Sequence, residues 1–96
     1  MTRDEYVTKL KTQLDGWNSD MGRWEVQATK AQDQLRQRYE KDLAALRAQR
    51  EKALYQMKLI EGASTTAWHQ MSQAADQAWD AMRAGIDKAR TQFEKG

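Results

Sequence analysis

Apolar side chains in the first third of the chain recur at alternating intervals of three and four residues, from Val7 to Leu35. This heptad spacing places them on one side of an α-helix, whereas a half-buried β-strand would bury every second residue. A capping box formed by Thr2 and Glu5 predicts that the helix begins near residue 3. Because tryptophan is unfavourable when exposed to water, the stripe should be buried against another helix, and we interpret it as a self-association surface. Its residues are Val7, Leu10, Leu14, Trp17, Met21, Trp24 and Leu35.

A second periodicity, of eleven residues, continues to the end of the chain. The segment AWHQM at 67–71 returns as AWDAM at 78–82, and a large apolar residue stands at every eleventh position from Trp24 to Trp79. Eleven residues in three turns lie close to the natural helical repeat, so the stripe runs nearly straight along a helix. The pattern predicts a helix–helix seam in this part of the chain. Its residues are Leu46, Met57, Ile60, Trp68, Met71, Trp79, Met82, Ile86 and Phe93.

The segment EGASTT is the strongest turn signal in the chain. Gly62 can end a helix, and the Ser and Thr residues that follow can cap the next one. We therefore predict one domain over residues 1–96, with a helix at 3–61, a turn at 62–64 and a helix at 65–94. This fold is all-α: an elongated coiled coil, folded as a helical hairpin with unequal arms. The alternative is one continuous long helix, because the eleven-residue spacing runs through the turn without a shift.

Charge favours the hairpin. Residues 36–58 contain seven basic and three acidic residues, whereas residues 59–82 contain three acidic residues and no base. Folding one segment along the other would place Asp80 near Arg47 and would pair opposite charges. The N-terminal arm would still lack a partner within the chain, so self-association is expected in both arrangements.

Composition argues against most kinds of chemistry. The single histidine, His69, has no cysteine and no second histidine beside it, so neither a metal site nor a cofactor is expected. No glycine-rich phosphate loop and no nucleophile–base pair can be recognised, which predicts a protein that is not an enzyme. Basic and acidic residues alternate and the net charge is only +2, which argues against nucleic-acid binding. No signal-peptide pattern or membrane-spanning run is evident, so the expected location is cytoplasmic.

The function predicted from these features is interaction or scaffolding by a self-associating, non-enzymatic coiled coil. Its expected partners are further copies of itself and other protein helices. The alternative is an amphipathic helix that binds a membrane or lipid surface through its Trp and Met stripe, since Trp favours the interface.

The chain also resembles a family of small bacterial coiled-coil proteins of unknown function, some of which are described as stress-response proteins. The resemblance lies in RDEYVTKLKTQLDGWN at 3–18, in the Ala-, Gln- and Arg-rich middle, and in ASTTAWHQM and AWDAMRAGIDKA between residues 63 and 89, followed by Phe93. The resemblance implies a soluble bacterial protein without an assigned activity and supplies no catalytic residues, and its stress-response members suggest a role in stress.

Overall fold

The computed structural model describes residues 1–94 and confirms the all-α prediction. It contains three helices: α1 (Arg3–Lys30), α2 (Asp33–Glu61) and α3 (Trp68–Glu94). Each helix contacts the other two. Because α2 returns antiparallel to α1 and α3 returns antiparallel to α2, α1 and α3 run parallel. The result is a three-helix bundle of 51 × 17 × 17 Å.

The start of α1 follows the predicted capping box. The Glu5 backbone N–H donates to Thr2 Oγ1 at 3.1 Å, and the Thr2 N–H donates to Glu5 Oε1 at 3.2 Å. Both bonds satisfy donors that have no partner within the first turn of a helix. The same exchange lowers the pKa of the Glu5 carboxyl, because hydrogen bonds from Thr2 favour its charged form.

The predicted helix 3–61 is wrong, because the chain turns back after Lys30. Ala31 and Gln32 adopt extended conformations with ψ of 157° and 158°, and α2 begins at Asp33. No glycine or proline marks this position, and Gln32 makes no side-chain cap. The turn is stabilised by packing and not by local sequence. A two-residue connection lets α1 and α2 lie antiparallel, so each helix covers the apolar stripe of the other. A hairpin with unequal arms is therefore replaced by three helices of similar length.

The second turn lies close to where it was predicted, but it is longer. Gly62 ends α2 in a right-handed conformation with φ of −85°, so the left-handed form is not used. The Ala67 N–H then donates to Ser64 Oγ at 3.1 Å, and the backbone oxygen of Ser64 accepts from Trp68 N–H at 3.3 Å. Consequently, α3 begins at Trp68 instead of residue 65.

Buried residues in all three helices are spaced by three, four or seven residues, which is the heptad spacing. Eleven equals four plus three plus four, so a single step of eleven within one helix also fits this spacing, as from Leu46 to Met57 and from Trp68 to Trp79. Large aromatic side chains fill the space between the parallel helices α1 and α3, with ring centroids 5.3–5.9 Å apart. The pairs are Tyr6–Trp68, Trp17–Trp79 and Trp24–Phe93.

Candidate interaction surface

Six of the seven residues assigned to self-association lie in the core of this single chain: Val7, Leu10, Leu14, Trp17, Met21 and Trp24. They were expected to contact another chain because the unequal hairpin left α1 uncovered. Once α1 ends at Lys30, α2 and α3 cover this stripe instead. The seventh residue, Leu35, is 43% exposed, because the buried stripe of α2 begins only at Tyr39. The predicted self-association residues therefore do not form a surface.

The residues assigned to the helix–helix seam also lie inside the bundle. Leu46, Met57, Ile60, Trp68, Trp79, Met82, Ile86 and Phe93 are buried, and Met71 is half-buried at the edge of the core. Of the residues that the structure describes, no polar or charged residue is buried with them. Any functional surface must therefore be sought on the three outer sides, each formed by a pair of neighbouring helices.

The α1–α3 side is closed by charged side chains. Asp20 accepts from Arg23 at 2.6 Å and from Arg90 at 2.8 Å, and Arg23 also reaches Glu94 at 3.1 Å. The Asp20 side chain is 16% exposed, so this cluster is partly shielded from water. Its four side chains join the end of α3 to the second half of α1.

A hydrogen bond closes the opposite end of the same side. The Tyr6 hydroxyl donates to Asp76 Oδ1, and it lies 3.3 Å from the backbone oxygen of Ser72. Burial raises the pKa of the Tyr6 phenol, and the bond to Asp76 and the charges of Asp76 and Asp80 raise it further. Asp76 on α3 is therefore joined to α1 by a hydrogen bond from Tyr6.

The α1–α2 side is also bridged by polar groups. Lys11 pairs with Glu61 at 3.6 Å, and Arg47 pairs with Glu25 at 3.3 Å. The predicted approach of Arg47 to Asp80 is wrong, because Arg47 points towards α1 while Asp80 pairs with Arg83 on its own helix. Arg50 occupies a seam position, yet it reaches outwards and donates to Asn18 Oδ1 at 3.1 Å.

The α2–α3 side differs because α3 contributes almost no charge to it. The side of α3 that faces α1 contains Asp76, Asp80, Arg83, Asp87, Arg90 and Glu94. The side that faces outwards beside α2 is uncharged except for Lys88, although 31% of the whole chain is charged. Small residues dominate it, so another helix can approach closely and without desolvating many charges. These outward residues are Met71, Ala74, Gln77, Ala78, Ala81, Ala84, Gly85 and Gln92.

The flank of α2 on this side contains exposed apolar groups. Tyr55 is 62% exposed, and Leu59, one turn further on, is 37% exposed. Ala45 and Lys52 continue the same row in steps of three and four residues. We call the combined surface the α2–α3 face. It comprises Ala45, Gln49, Lys52, Tyr55, Gln56 and Leu59 on α2, and Met71, Ala74, Ala78, Ala81, Gly85, Lys88 and Gln92 on α3.

Two hollows lie along the α2–α3 face. The first, of about 140 Å³, is lined by Asp42, Ala45 and Gln49 on α2 and by Gly85 and Lys88 on α3, together with Leu46, Ala89 and Gln92. The second lies next to Tyr55 and is lined by Glu51, Lys52, Tyr55, Gln56, Ala74, Gln77 and Ala78. The face is therefore uneven, with a protruding ring near one end and a hollow near the other.

The remaining chemical groups do not assemble into a site. The His69 ring packs against Trp68, with centroids 3.9 Å apart. Within residues 1–94, no three His, Cys, Asp or Glu side chains come close enough to hold a metal ion. No helix in this part of the chain is both long and apolar enough to cross a bilayer.

Comparison with known proteins adds no relative. No protein-family model, no curated protein and no solved structure matches the chain. The resemblance to small bacterial coiled-coil proteins therefore stays a prediction.

Sequence reasoning missed the α2–α3 face, although two signals for it were present. The six charges of α3 from Asp76 to Glu94, apart from Lys88, fall on one side of a helical projection. In α2, the row Ala45, Lys52, Tyr55 and Leu59 has its own spacing of seven, three and four residues beside the buried stripe. Neither signal tells which side of a helix faces solvent. Only the packing of the three helices shows that these two sides lie together and are exposed.

Proposed function

We propose that this protein is a non-enzymatic interaction module that associates with a second copy of itself through the α2–α3 face. The observation that carries the proposal is the separation of charge on α3. Its charged side bonds to α1 within the chain, while its neutral side of small residues is left in solvent beside the exposed Tyr55. Low desolvation cost and close approach are properties of a helix-packing surface.

A second copy is the occupant that this face matches best. In a two-fold interface the same patch lies on both sides, so the nearly uncharged side of α3 meets the same side of the second copy. Asp42 borders the face beside Lys88 at one end, and Glu51 borders it beside Lys52 at the other. An antiparallel arrangement places these two ends against each other, and because each end holds one acid and one base, neither end meets a surface of its own net charge. The face is about 30 Å long at 1.5 Å per residue and as wide as the 17 Å body, so it offers roughly 500 Å² per partner, which is the size of a weak, reversible interface.

Sedimentation analysis of the full chain tests this function. We expect a dimer at twice the chain mass of 11.2 kDa, in reversible exchange with the monomer. Ala81 lies near the centre of the face, where a two-fold axis would bring both copies of residue 81 close together. Ala81→Glu should therefore weaken the dimer at least tenfold by placing like charges against each other.

The matched control is Val26→Glu on the outer side of α1. Val26 is 55% exposed and lies away from the α2–α3 face, so its replacement also exchanges an exposed apolar side chain for a carboxylate. The control should leave the dimer unchanged. If Val26→Glu dissociates the dimer and Ala81→Glu does not, the wrong side of the bundle has been assigned. A wild-type chain that stays monomeric up to about 1 mM would reject self-association, since only about 4 kcal/mol would then be available.

The lipid-surface alternative has lost its main support. It required an exposed Trp and Met stripe, but all four tryptophans and three of the five methionines are buried within the bundle. A role in stress and a bacterial origin remain what the family resemblance implies. The self-association proposal depends on neither of them.

A further inference from the structure

Tyr55 and the hollow beside Gly85 lie on the same face but cannot meet within one chain. The α2 residues of the hollow lie between positions 42 and 49, six or more residues before Tyr55. At 1.5 Å per residue, Tyr55 is therefore about 9–20 Å away along the helix axis. The Tyr55 side chain points outwards and is 62% exposed, so its ring is free to enter something else.

The hollow has the size and the chemistry for a phenol. A cavity of about 150 Å³ in another protein accommodates benzene, and this hollow measures about 140 Å³. Two oxygen atoms at its wall, Asp42 Oδ2 and Gln49 Oε1, are buried and accept no hydrogen bond from any described residue. Buried acceptors without a donor cost free energy, and a ligand that brings an O–H group would recover it.

Gly85 allows the Gln49 side chain of α2 to pack directly against α3 at the wall of the hollow. A Cβ atom at this position would collide with Gln49 Oε1 and would lie 3.0 Å from Leu46 Cδ2. Glycine costs about 1 kcal/mol relative to alanine in the middle of a helix. Its φ is not positive, so the backbone itself does not require glycine here. Glycine at position 85 therefore leaves room for the Gln49 carboxamide, which a larger residue would push into the hollow.

We infer that the Tyr55 ring of a second copy occupies the hollow beside Gly85, with its hydroxyl donating to Asp42 or Gln49. This inference rests on the proposed self-association and specifies how it is achieved. Because the interface is two-fold, the contact occurs twice: each chain inserts one tyrosine and receives one. The axis then passes midway between Tyr55 and the hollow, near Ala81. A rigid aromatic anchor in a matching pocket is a typical source of binding energy.

Sedimentation of three full-length variants tests the contact. Tyr55→Ala should raise the dimer dissociation constant at least tenfold, and Tyr55→Phe should raise it by a smaller factor, because only the donor is lost. Gly85→Ala should also raise it at least tenfold by narrowing the hollow. The thermal midpoint of Gly85→Ala should change little, since the Gln49 side chain can rotate away and Leu46 Cδ2, at 3.0 Å, has to move by only a few tenths of an ångström. Circular dichroism confirms that each variant is folded.

Mixing two variants distinguishes this contact from a general loss of dimer stability. Tyr55→Ala retains its hollow, and Gly85→Ala retains its tyrosine, so a mixed dimer regains one intact contact that neither homodimer has. An equimolar mixture should associate more tightly than either variant alone. If wild type dimerises but these variants dimerise equally well, or the mixture gains nothing, the tyrosine contact is wrong and self-association stands. A monomeric wild type overturns both proposals and leaves the face to a different protein.

Discussion

The glycines within the helices differ in how much free space surrounds them. Gly16 and Gly22 both lie in the interior of α1, where a flexible residue is unfavourable, yet a Cβ atom at either position would meet nothing within 4 Å. Gly85 is different, because a Cβ there would meet α2. A larger residue can therefore replace glycine without a clash in α1, but not at Gly85 in α3.

Gly22→Ala should raise the free energy of unfolding by about 0.5–1 kcal/mol, because alanine loses less backbone entropy in a helix and the site is open. Urea denaturation measures the change. Gly16→Ala serves as the parallel case and should behave similarly. A lower free energy of unfolding for either variant would contradict the open space found beside these glycines.

Tyr6 links stability to alkaline pH. Because the pKa of its phenol is raised in the folded chain, the folded state keeps this proton when the unfolded chain has begun to lose it. The stabilisation is fully present below the unfolded-state pKa of about 10 and is lost as pH rises above it. Tyr6→Phe should be less stable than wild type at pH 8, and this difference should shrink above pH 10. Urea titrations across pH 8–11 measure it, and a constant difference would contradict the assignment.

At the scale of the helices, the three sides of the bundle have different chemistry. Salt bridges and hydrogen bonds close the α1–α2 and α1–α3 sides, whereas the outer surface of α3 beside α2 is nearly uncharged. Aromatic rings keep α1 and α3 apart, so their contact depends more on side chains at its edges. The partly buried Asp20 cluster is the largest of these edge contacts.

Asp20→Asn should lower the free energy of unfolding by about 1–2 kcal/mol, since hydrogen bonds from two arginines to a shielded carboxylate are weakened. Asp87→Asn is the control: its side chain is 66% exposed and, within residues 1–94, pairs only with Arg90, so it should cost at most about 0.5 kcal/mol. Denaturation at low and high salt measures both. Equal decreases in the free energy of unfolding for the two variants would show that the partial burial of Asp20 does not strengthen its ion pairs.

At the scale of the whole molecule, the fold replaces a long rod by a short bundle. A continuous helix of 96 residues would be about 140 Å long, whereas the bundle measures 51 Å along its longest axis. The short form buries twenty apolar residues without any second chain. Self-association is therefore an additional property of the folded bundle and is not a condition for covering its tryptophans.

Small-angle scattering should give a radius of gyration slightly above the 15.3 Å of the Cα trace. The Ala81→Glu variant is suited to this measurement, because it should remain monomeric at working concentrations. Its tryptophan emission should be blue-shifted, since all four indoles are buried. A maximum dimension approaching about 140 Å would restore the continuous helix and reject the bundle.

The sequence by itself determined that the chain is helical, where its first helix begins, and, Leu35 apart, which large side chains of the two predicted stripes avoid water. These properties are local: the capping box at Thr2 and Glu5 and the spacing of three and four depend only on helix geometry. The tertiary structure alone decided what covers the apolar stripe. The turn at Ala31 and Gln32 has no glycine or proline, and it exists because two packed helices bury more apolar surface than one long helix. The same packing turned the predicted self-association residues into a core and left the neutral side of α3 in solvent.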